Sequence, residues 1–173
     1  TRALSSAASD VYKRQDYDVA REYLVLSRLG PLRDPPVPEA LALDATGDVL
    51  GRPLLVTRFV GGRVPSDDRP SFAEAGWLFE ASAADQRAFC RSLLRALAAV
   101  HAVDWRRLGL ESLARSCELP LQGEIAWYRA LHDWGCGMDR HPVIERGFET
   151  LTQDIPGGSP ACLLWGDARP ANA

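Results

Sequence analysis

The sequence lacks several features that define whole classes of protein. No apolar run approaches the ~20 residues that a membrane-spanning helix needs, and the N-terminus lacks the charged-then-apolar pattern of a secretory signal. The net charge of -3 gives no basic surface for nucleic acid. These absences predict a cytoplasmic protein that binds neither membranes nor nucleic acid.

Cysteine is scarce and widely spaced, and no two cysteines form a C-x-x-C pair. Without a secretory signal, such cysteines are predicted to be reduced thiols that pack as small hydrophobic side chains. His132 and Cys136 stand one helical turn apart, and His141 follows closely. No further residue has the spacing that completes a tetrahedral zinc site, so a metal centre here is the weaker interpretation.

Lysine is nearly absent, since Lys13 is the only one and the remaining strongly basic side chains are all arginine. Lys13 lies within residues 1–15, a stretch rich in Ser and Ala that has neither helical nor strand periodicity. We predict that this stretch is a leader outside the fold, either non-native in origin or a disordered N-terminus. Glycine is also absent before Gly30, so no glycine-rich phosphate loop precedes that residue.

The rest of the chain has the composition of a folded domain, with 46% hydrophobic residues over 173 positions. Asp18 is predicted to be the N-cap of a helix that Gly30 ends. Two strands follow at 41–43 and 54–60, and a turn at 44–48 joins them.

Beyond residue 62 the pattern becomes helical. The strongest predicted helix is 82–101, where Ser82 and Asp85 match a capping box and the apolar residues form one stripe. Two further helices and a short strand are predicted at 124–134, 143–151 and 161–165. This order is neither an alternating βαβ pattern nor a helix bundle, and it predicts an α+β fold.

The polar loop after the last predicted strand pairs Asp167 with Asn172, five positions later. Phosphoryl transfer from ATP needs a carboxylate near the acceptor hydroxyl and oxygen ligands for magnesium. Asp167 would orient the hydroxyl and take its proton, and Asn172 would coordinate Mg2+ through its amide oxygen. Gly166 gives backbone freedom before Asp167, and Pro170 stiffens the loop. A surface turn rich in Asp, Pro and Asn is the competing interpretation.

Residues 164–172, Leu-Trp-Gly-Asp-Ala-Arg-Pro-Ala-Asn, resemble the catalytic loop of the aminoglycoside phosphotransferase family, which usually contains His-Gly-Asp-x-x-x-x-Asn. Upstream segments are similar to the family's glutamate-bearing helix, the strands before its hinge, its hinge exit and its Leu-His helix end, in the same order. These segments are 21–26, 37–40, 49–56, 59–62 and 97–104. The resemblance covers about residues 17–173.

The resemblance implies a protein-kinase-like α+β fold and transfer of phosphate from ATP, with Mg2+, to a hydroxyl of a small molecule. Glu22 would pair with the lysine that binds the ATP phosphates, where the alternative is a solvent-facing helix glutamate. The backbone at Thr57, Arg58 and Phe59 would receive the adenine, where the alternative is an ordinary strand edge. Acidic residues after the hinge would favour a cationic acceptor or simply form a solvated helix entry. These are Asp67, Asp68, Glu74 and Glu80.

The sequence departs from the family pattern in three places. Trp165 replaces the usual histidine of the catalytic loop. Lys13 stands only nine positions before Glu22 and no Val-Ala-x-Lys strand surrounds it, so the phosphate-binding lysine is missing. The metal-binding aspartate that follows the loop in the family is not present after Asn172.

We therefore expect an incomplete chain that is inactive by itself and derives from an active small-molecule kinase. Residues 16–60 would form a partial N-lobe and 61–173 a partial helical C-lobe that runs through the catalytic loop. The main alternative is a kinase-like module that binds a nucleotide or metabolite without catalysis. A helical interaction protein with an incidental Asp167 loop is a weaker alternative.

Overall fold

The computed structural model describes residues 18–116, 120–137, 140–155 and 161–172. Within these ranges it contains helices α1 (Val19–Leu29), α2 (Ala83–His101), α3 (Pro120–Cys136) and α4 (Pro142–Gln153), and strands β1 (Ala40–Asp44) and β2 (Leu54–Thr57). Three short 3-10 turns lie at Gly30–Leu32, Glu111–Leu113 and Pro170–Asn172. The predicted α+β class is confirmed.

The chain forms two compact units. The first unit comprises Val19–Leu108 and the C-terminal residues from Cys162 onward, and the second contains Gly109–Ala161. The catalytic loop predicted from the sequence therefore belongs to the unit that also holds the β-hairpin, α1 and α2. The predicted division at residues 15 and 60 stays a prediction.

Helix α1 packs against both strands of the hairpin. Its apolar residues recur at helical spacing, and the last of them, Leu29, is only 2% exposed. Helical backbone ends at Leu29 because the 3-10 turn at Gly30–Leu32 follows, and Arg33 closes that turn in the left-handed conformation with φ 61°. The helix stop predicted at Gly30 is confirmed.

The hairpin pairs β1 and β2 antiparallel, with a register shift between Ala40 and Ala42. The second strand was predicted to reach residue 60, but it ends at Thr57. Arg58 makes one more contact, since its amide donates to the Glu39 carbonyl at 2.8 Å. Beyond that bond no described residue pairs with Phe59 or residue 60, so the ladder stops.

Asp44 holds the turn between the two strands. Its carboxylate accepts backbone N–H bonds from Val49 at 2.8 Å and from Gly47 at 2.8 Å, and it also accepts the Thr46 hydroxyl at 3.0 Å. These bonds favour the ionised form, and the Val49 amide contributes most. They lower the pKa of Asp44 to about 2.

Helix α2 begins where the capping box predicted it. Ser82 adopts extended backbone and its Oγ accepts the Asp85 amide at 3.1 Å, while the hydroxyl donates to the Asp85 carboxylate at 2.7 Å. The buried face of the helix ends at Val100, and Phe89 packs edge-on against Trp77 with ring centroids 5.8 Å apart. These contacts confirm the predicted apolar stripe.

An ion-pair network joins α3 to α4 in the second unit. Arg129 contacts Glu145 at 2.6 Å and Asp133 at 3.3 Å, and Arg140 approaches the same two carboxylates at 3.5 Å. Desolvation raises the pKa of Asp133, but the hydrogen bond and charge of Arg129 outweigh it, so the pKa is lowered. Both helices are longer than predicted, since α3 begins at Pro120 and α4 at Pro142.

Two further expectations about the chain are wrong. Residues 161–165 are not a strand, because no described residue forms a ladder with them, although their exposure still alternates as in extended chain. Cys90 and Cys162 are free thiols but lie exposed rather than packed, and Cys136 is only half-buried. Cys117 lies outside the described residues. In the part of the chain that the structure describes, no helix combines the length and the apolar character needed to cross a bilayer.

Candidate active site

The loop after residue 165 turns sharply before it reaches its carboxylate. Gly166 has φ +83°, a left-handed conformation that side-chain-bearing residues rarely adopt. The amide of Ala168 donates back to the Gly166 carbonyl at 3.0 Å, and the amide of Asn172 donates to the Arg169 carbonyl at 2.9 Å. These bonds fold the loop over itself and bring Asn172 beside Asp167.

Asp167 and Asn172, which the sequence paired by spacing alone, are in direct contact. The Asn172 side-chain nitrogen donates to the Asp167 carbonyl at 2.9 Å and to its Oδ2 at 3.1 Å. Both partners are acceptors, so only the NH2 group of the amide can face them. The amide oxygen of Asn172 therefore points away from Asp167 and has no partner among the described residues.

Arg169 makes the second contact to the same carboxylate. Its Nε lies 2.9 Å from Asp167 Oδ2, and its Nη1 donates to Oδ2 of Asp67. One oxygen of Asp167 thus receives a hydrogen bond from Asn172 and an ion-pair contact from Arg169, while Oδ1 has no contact in the described part of the chain. The side chain of Asp167 is 69% exposed, so Oδ1 is open to a molecule from solvent.

The three residues predicted to receive the adenine, Thr57, Arg58 and Phe59, lie at the end of the hairpin. Thr57 is half-buried and pairs with Ala40, and the Arg58 amide is already used by Glu39. The Glu39 carboxylate also accepts from Arg58 Nε at 2.6 Å, and this hydrogen bond raises the pKa of Arg58. Phe59 is 91% exposed, and its backbone has no hydrogen bond within the described residues. Of the three predicted positions, Phe59 keeps a free backbone edge.

Glu22 lies in the first turn of α1 and is exposed. No ion pair or hydrogen bond to its carboxylate is present among the described residues. Lys13, the only lysine, lies outside those residues. Glu22 is thus available for a cation but is not brought into contact with Asp167 or Asn172.

The weak zinc interpretation involved His132, Cys136 and His141. His132 Nδ1 does lie 3.7 Å from Cys136 Sγ, but His141 is not in the group of potential ligands, which consists of His132, Asp133 and Glu145. The two guanidinium groups of the network described above both approach Oδ1 of Asp133, and they approach different oxygens of Glu145, Arg129 at Oε2 and Arg140 at Oε1. Because these cations already neutralise the carboxylates, we interpret the group as an ion-pair network.

Sequence reasoning missed the roles of Arg169 and Asp67. Arg169 was included in the loop but given no function, and Asp67 was one of several acids expected either to favour a cationic acceptor or to form a solvated helix entry. A loop arginine two positions after the carboxylate was the available signal, since a guanidinium can bind two carboxylates at once. Nothing in the sequence pointed to Asp67, which lies 102 positions from Arg169.

Three comparisons bear on this geometry. A family model described as phosphotransferase enzyme family (APH) matches residues 7–173, a range that begins inside the predicted leader. A crystal structure from Ralstonia eutropha, provisionally named an aminoglycoside phosphotransferase, is 28% identical with a TM-score of 0.65, and the match covers 88% of this chain. An Arabidopsis thaliana protein named probable acyl-CoA dehydrogenase IBR3 is 28% identical over 159 residues, which is 87% of this chain.

The chain spans only part of each relative, namely 44% of the crystallised protein and 18% of the Arabidopsis protein. The dehydrogenase name therefore describes a protein that lies mostly outside the matched segment. The likeness to the crystallised protein confirms the kinase-like α+β fold predicted from the sequence. The family model extends over nearly the whole sequence, including the loop from Gly166 to Asn172. The chain therefore belongs to the phosphotransferase enzyme family.

Proposed function

We propose that the whole protein transfers the γ-phosphoryl group of Mg-ATP to a hydroxyl of a small molecule, and that it works in the cytoplasm. The observation that carries this proposal is the Asp167 carboxylate, which has one oxygen held by Arg169 and Asn172 and the other open. A carboxylate fixed in this way presents a single acceptor atom to an incoming hydroxyl.

Asp167 is the general base in this proposal. Its Oδ1 accepts a hydrogen bond from the acceptor hydroxyl, orients the hydroxyl oxygen toward the phosphorus, and takes the proton as the new O–P bond forms. Its Oδ2 stays in contact with the Asn172 amide and the Arg169 guanidinium, so the carboxylate does not rotate during the transfer. Positioning of this kind accounts for most of the catalysis in phosphoryl transfer, because little covalent chemistry is left to the protein.

The donor set around Asn172 fits magnesium. Mg2+ binds oxygen ligands, and the unpartnered amide oxygen of Asn172 is such a ligand beside a carboxylate. When bound, Mg2+ neutralises charge on the phosphates. Asn172 would hold the ion through Oδ1 while its NH2 group keeps Asp167 in place.

The nucleotide would be held at two places. The free backbone edge at Phe59, next to Thr57 and Arg58, would receive the adenine. Glu22, which is exposed and unpaired among the described residues, would orient a lysine on the phosphates. Neither position is tied to Asp167 by a described contact, and the 173-residue chain contains no lysine other than Lys13. We therefore propose that this chain alone does not turn over ATP.

The second candidate function is nucleotide or metabolite binding without catalysis. The specific observation in its favour is Arg169, because its guanidinium occupies one oxygen of the Asp167 carboxylate with an ion pair.

A turnover assay on the whole protein tests both candidates. The purified protein is incubated with Mg-ATP and a panel of aminoglycosides, choline-like alcohols, sugars and amino alcohols, and ADP release is measured. We expect acceptor-dependent release that falls by at least about 10²-fold in Asp167→Ala, while Asp68→Ala keeps full activity as the matched acidic control. Thermal stabilisation by Mg-ATP without turnover of any acceptor would favour the binding module. The absence of both turnover and stabilisation by the nucleotide would remove the phosphotransferase and the nucleotide-binding module, and would leave only binding of a metabolite.

A further inference from the structure

Arg169 lies between two carboxylates that come from distant parts of the first unit, and the role of the second carboxylate is unassigned. We propose that Asp67 is a positioning residue for the catalytic loop: it holds the Arg169 guanidinium, which in turn holds Asp167. The inference rests on the proposed function, since it concerns the orientation of the proposed base.

The two carboxylates use different atoms of the same guanidinium. Asp67 accepts a hydrogen bond from Nη1, whereas Oδ2 of Asp167 forms an ion pair with Nε at 2.9 Å. A guanidinium is planar and rigid, so fixing the position of Nη1 also fixes the position of Nε. Asp67 therefore acts on Asp167 without touching it.

Asp67 is the better anchored of the two carboxylates. Its side chain is 28% exposed, compared with 69% for Asp167, so water screens its pair with Arg169 less. The segment that carries Asp67 is held locally, because Ser66 accepts the Asp68 amide at 3.1 Å through its hydroxyl and the Phe72 amide at 2.7 Å through its carbonyl. Pro65, next to Ser66, is fully buried. Asp67 is thus the fixed partner that holds the long side chain of Arg169.

The arrangement also changes what the charge of Asp67 can do. One guanidinium is shared by two carboxylates, so the three side chains together keep one net negative charge. The expectation that Asp67 favours a cationic acceptor stays a prediction. Without Asp67, Arg169 would regain the many rotamers of an exposed arginine, and Oδ2 of Asp167 would keep only its contact with the Asn172 amide.

A double-mutant cycle on the whole protein measures the coupling. We expect Asp67→Ala to lower kcat by roughly tenfold to hundredfold with little change in the KM for ATP, because misplacement of a reacting group by about 1 Å has effects of this size. In an Arg169→Ala background, Asp67→Ala should have no further effect. Arg169→Lys should recover little of the kcat that Arg169→Ala loses, since one ammonium group cannot span both carboxylates. Asp68→Ala should keep the wild-type kcat. Additive losses in the cycle would overturn the proposal.

A measurement without turnover separates this inference from the proposed function. NMR reports the solvent exchange of Arg169 Nε–H, which we expect to be slow in the wild type because the guanidinium is held between Asp67 and Asp167. We expect Asp67→Ala to speed the exchange to the rate of an exposed arginine, and Asp68→Ala to leave it unchanged. Unchanged exchange in Asp67→Ala would overturn the inference. If no acceptor is phosphorylated by the wild type, the proposed function fails, and the exchange result still decides whether Asp67 positions Asp167.

Discussion

The side-chain amide of Asn172 donates both hydrogens toward Asp167, one to its carbonyl at 2.9 Å and one to its carboxylate at 3.1 Å. The asparagine therefore has two proposed roles. Its amide oxygen would bind Mg2+, and its NH2 group holds the proposed base, Asp167. A substitution that keeps the oxygen ligand but removes the NH2 donor separates the two roles.

Asn172→Asp is that substitution. An aspartate at this position can still bind Mg2+ but cannot donate to Asp167, and its charge repels the neighbouring carboxylate. We expect kcat to fall by about 10²-fold while the apparent affinity for Mg2+ is kept. Asn172→Ala, the comparison variant, should lose both. Full activity in Asn172→Asp would mean that the hydrogen bonds from Asn172 to Asp167 do not contribute to catalysis.

The Asp44 turn predicts a stability change at acidic pH. The pKa of Asp44 is lowered from 3.8 to about 2, mainly by the Val49 amide, so its stabilising effect is complete above pH 3.8. It should be lost as the pH falls toward 2. The amide chemical shifts of Val49 and Gly47 should titrate with a midpoint near 2 and lose this transition in Asp44→Asn. A midpoint close to 3.8 would show that the turn bonds do not favour the carboxylate.

The start of α2 predicts a capping effect. Ser82→Ala removes the side-chain bond to the Asp85 amide, and we expect a loss of about 1 kcal/mol in the free energy of unfolding. Ser92→Ala is the matched control, because Ser92 is exposed in the interior of the same helix and alanine is the better helix former there. Urea unfolding should place the two variants on opposite sides of the wild type. Equal midpoints would contradict the capping role.

Two glycines in the hairpin turn form another matched pair. Gly47 and Gly51 both have positive φ, at +85° and +74°. A Cβ on Gly47 would lie 2.9 Å from the backbone of Arg52, whereas a Cβ on Gly51 would meet nothing within 4 Å. We expect Gly47→Ala to destabilise the protein by more than Gly51→Ala, which should show only the conformational cost of about 1 kcal/mol. Equal losses in thermal unfolding would mean that the turn relaxes around the added methyl.

Local signals predicted most of the fold. The capping box at Ser82 and the helix stop at Gly30 each depend on neighbouring residues, so the sequence contains the information directly. Strand ends were less accurate. β2 stops at Thr57 because its partner strand ends, and the length of a ladder depends on the pairing rather than on the residues of one strand.

The candidate site divides in the same way. Asp167 and Asn172 are five positions apart in one loop, and their contact follows from a local turn that the sequence indicated. Arg169 and Asp67 are brought together by the tertiary fold, and no periodicity or spacing reports such a contact. The contact between Asp167 and Asn172, within one segment, was predictable from the sequence. The contact between Arg169 and the distant Asp67 was not.

The separation of Asp67 and Arg169 along the chain has a consequence for how the protein is made. Their contact spans 102 positions, whereas the hairpin and α2 depend on neighbours within about one element. At a synthesis rate of roughly 5 to 20 residues per second, Arg169 leaves the ribosome roughly 5 to 20 seconds after Asp67. Hairpins and helices form in microseconds, long before that. The Asp67–Arg169 contact that orients the proposed base can therefore form only seconds after the hairpin and α2 have folded.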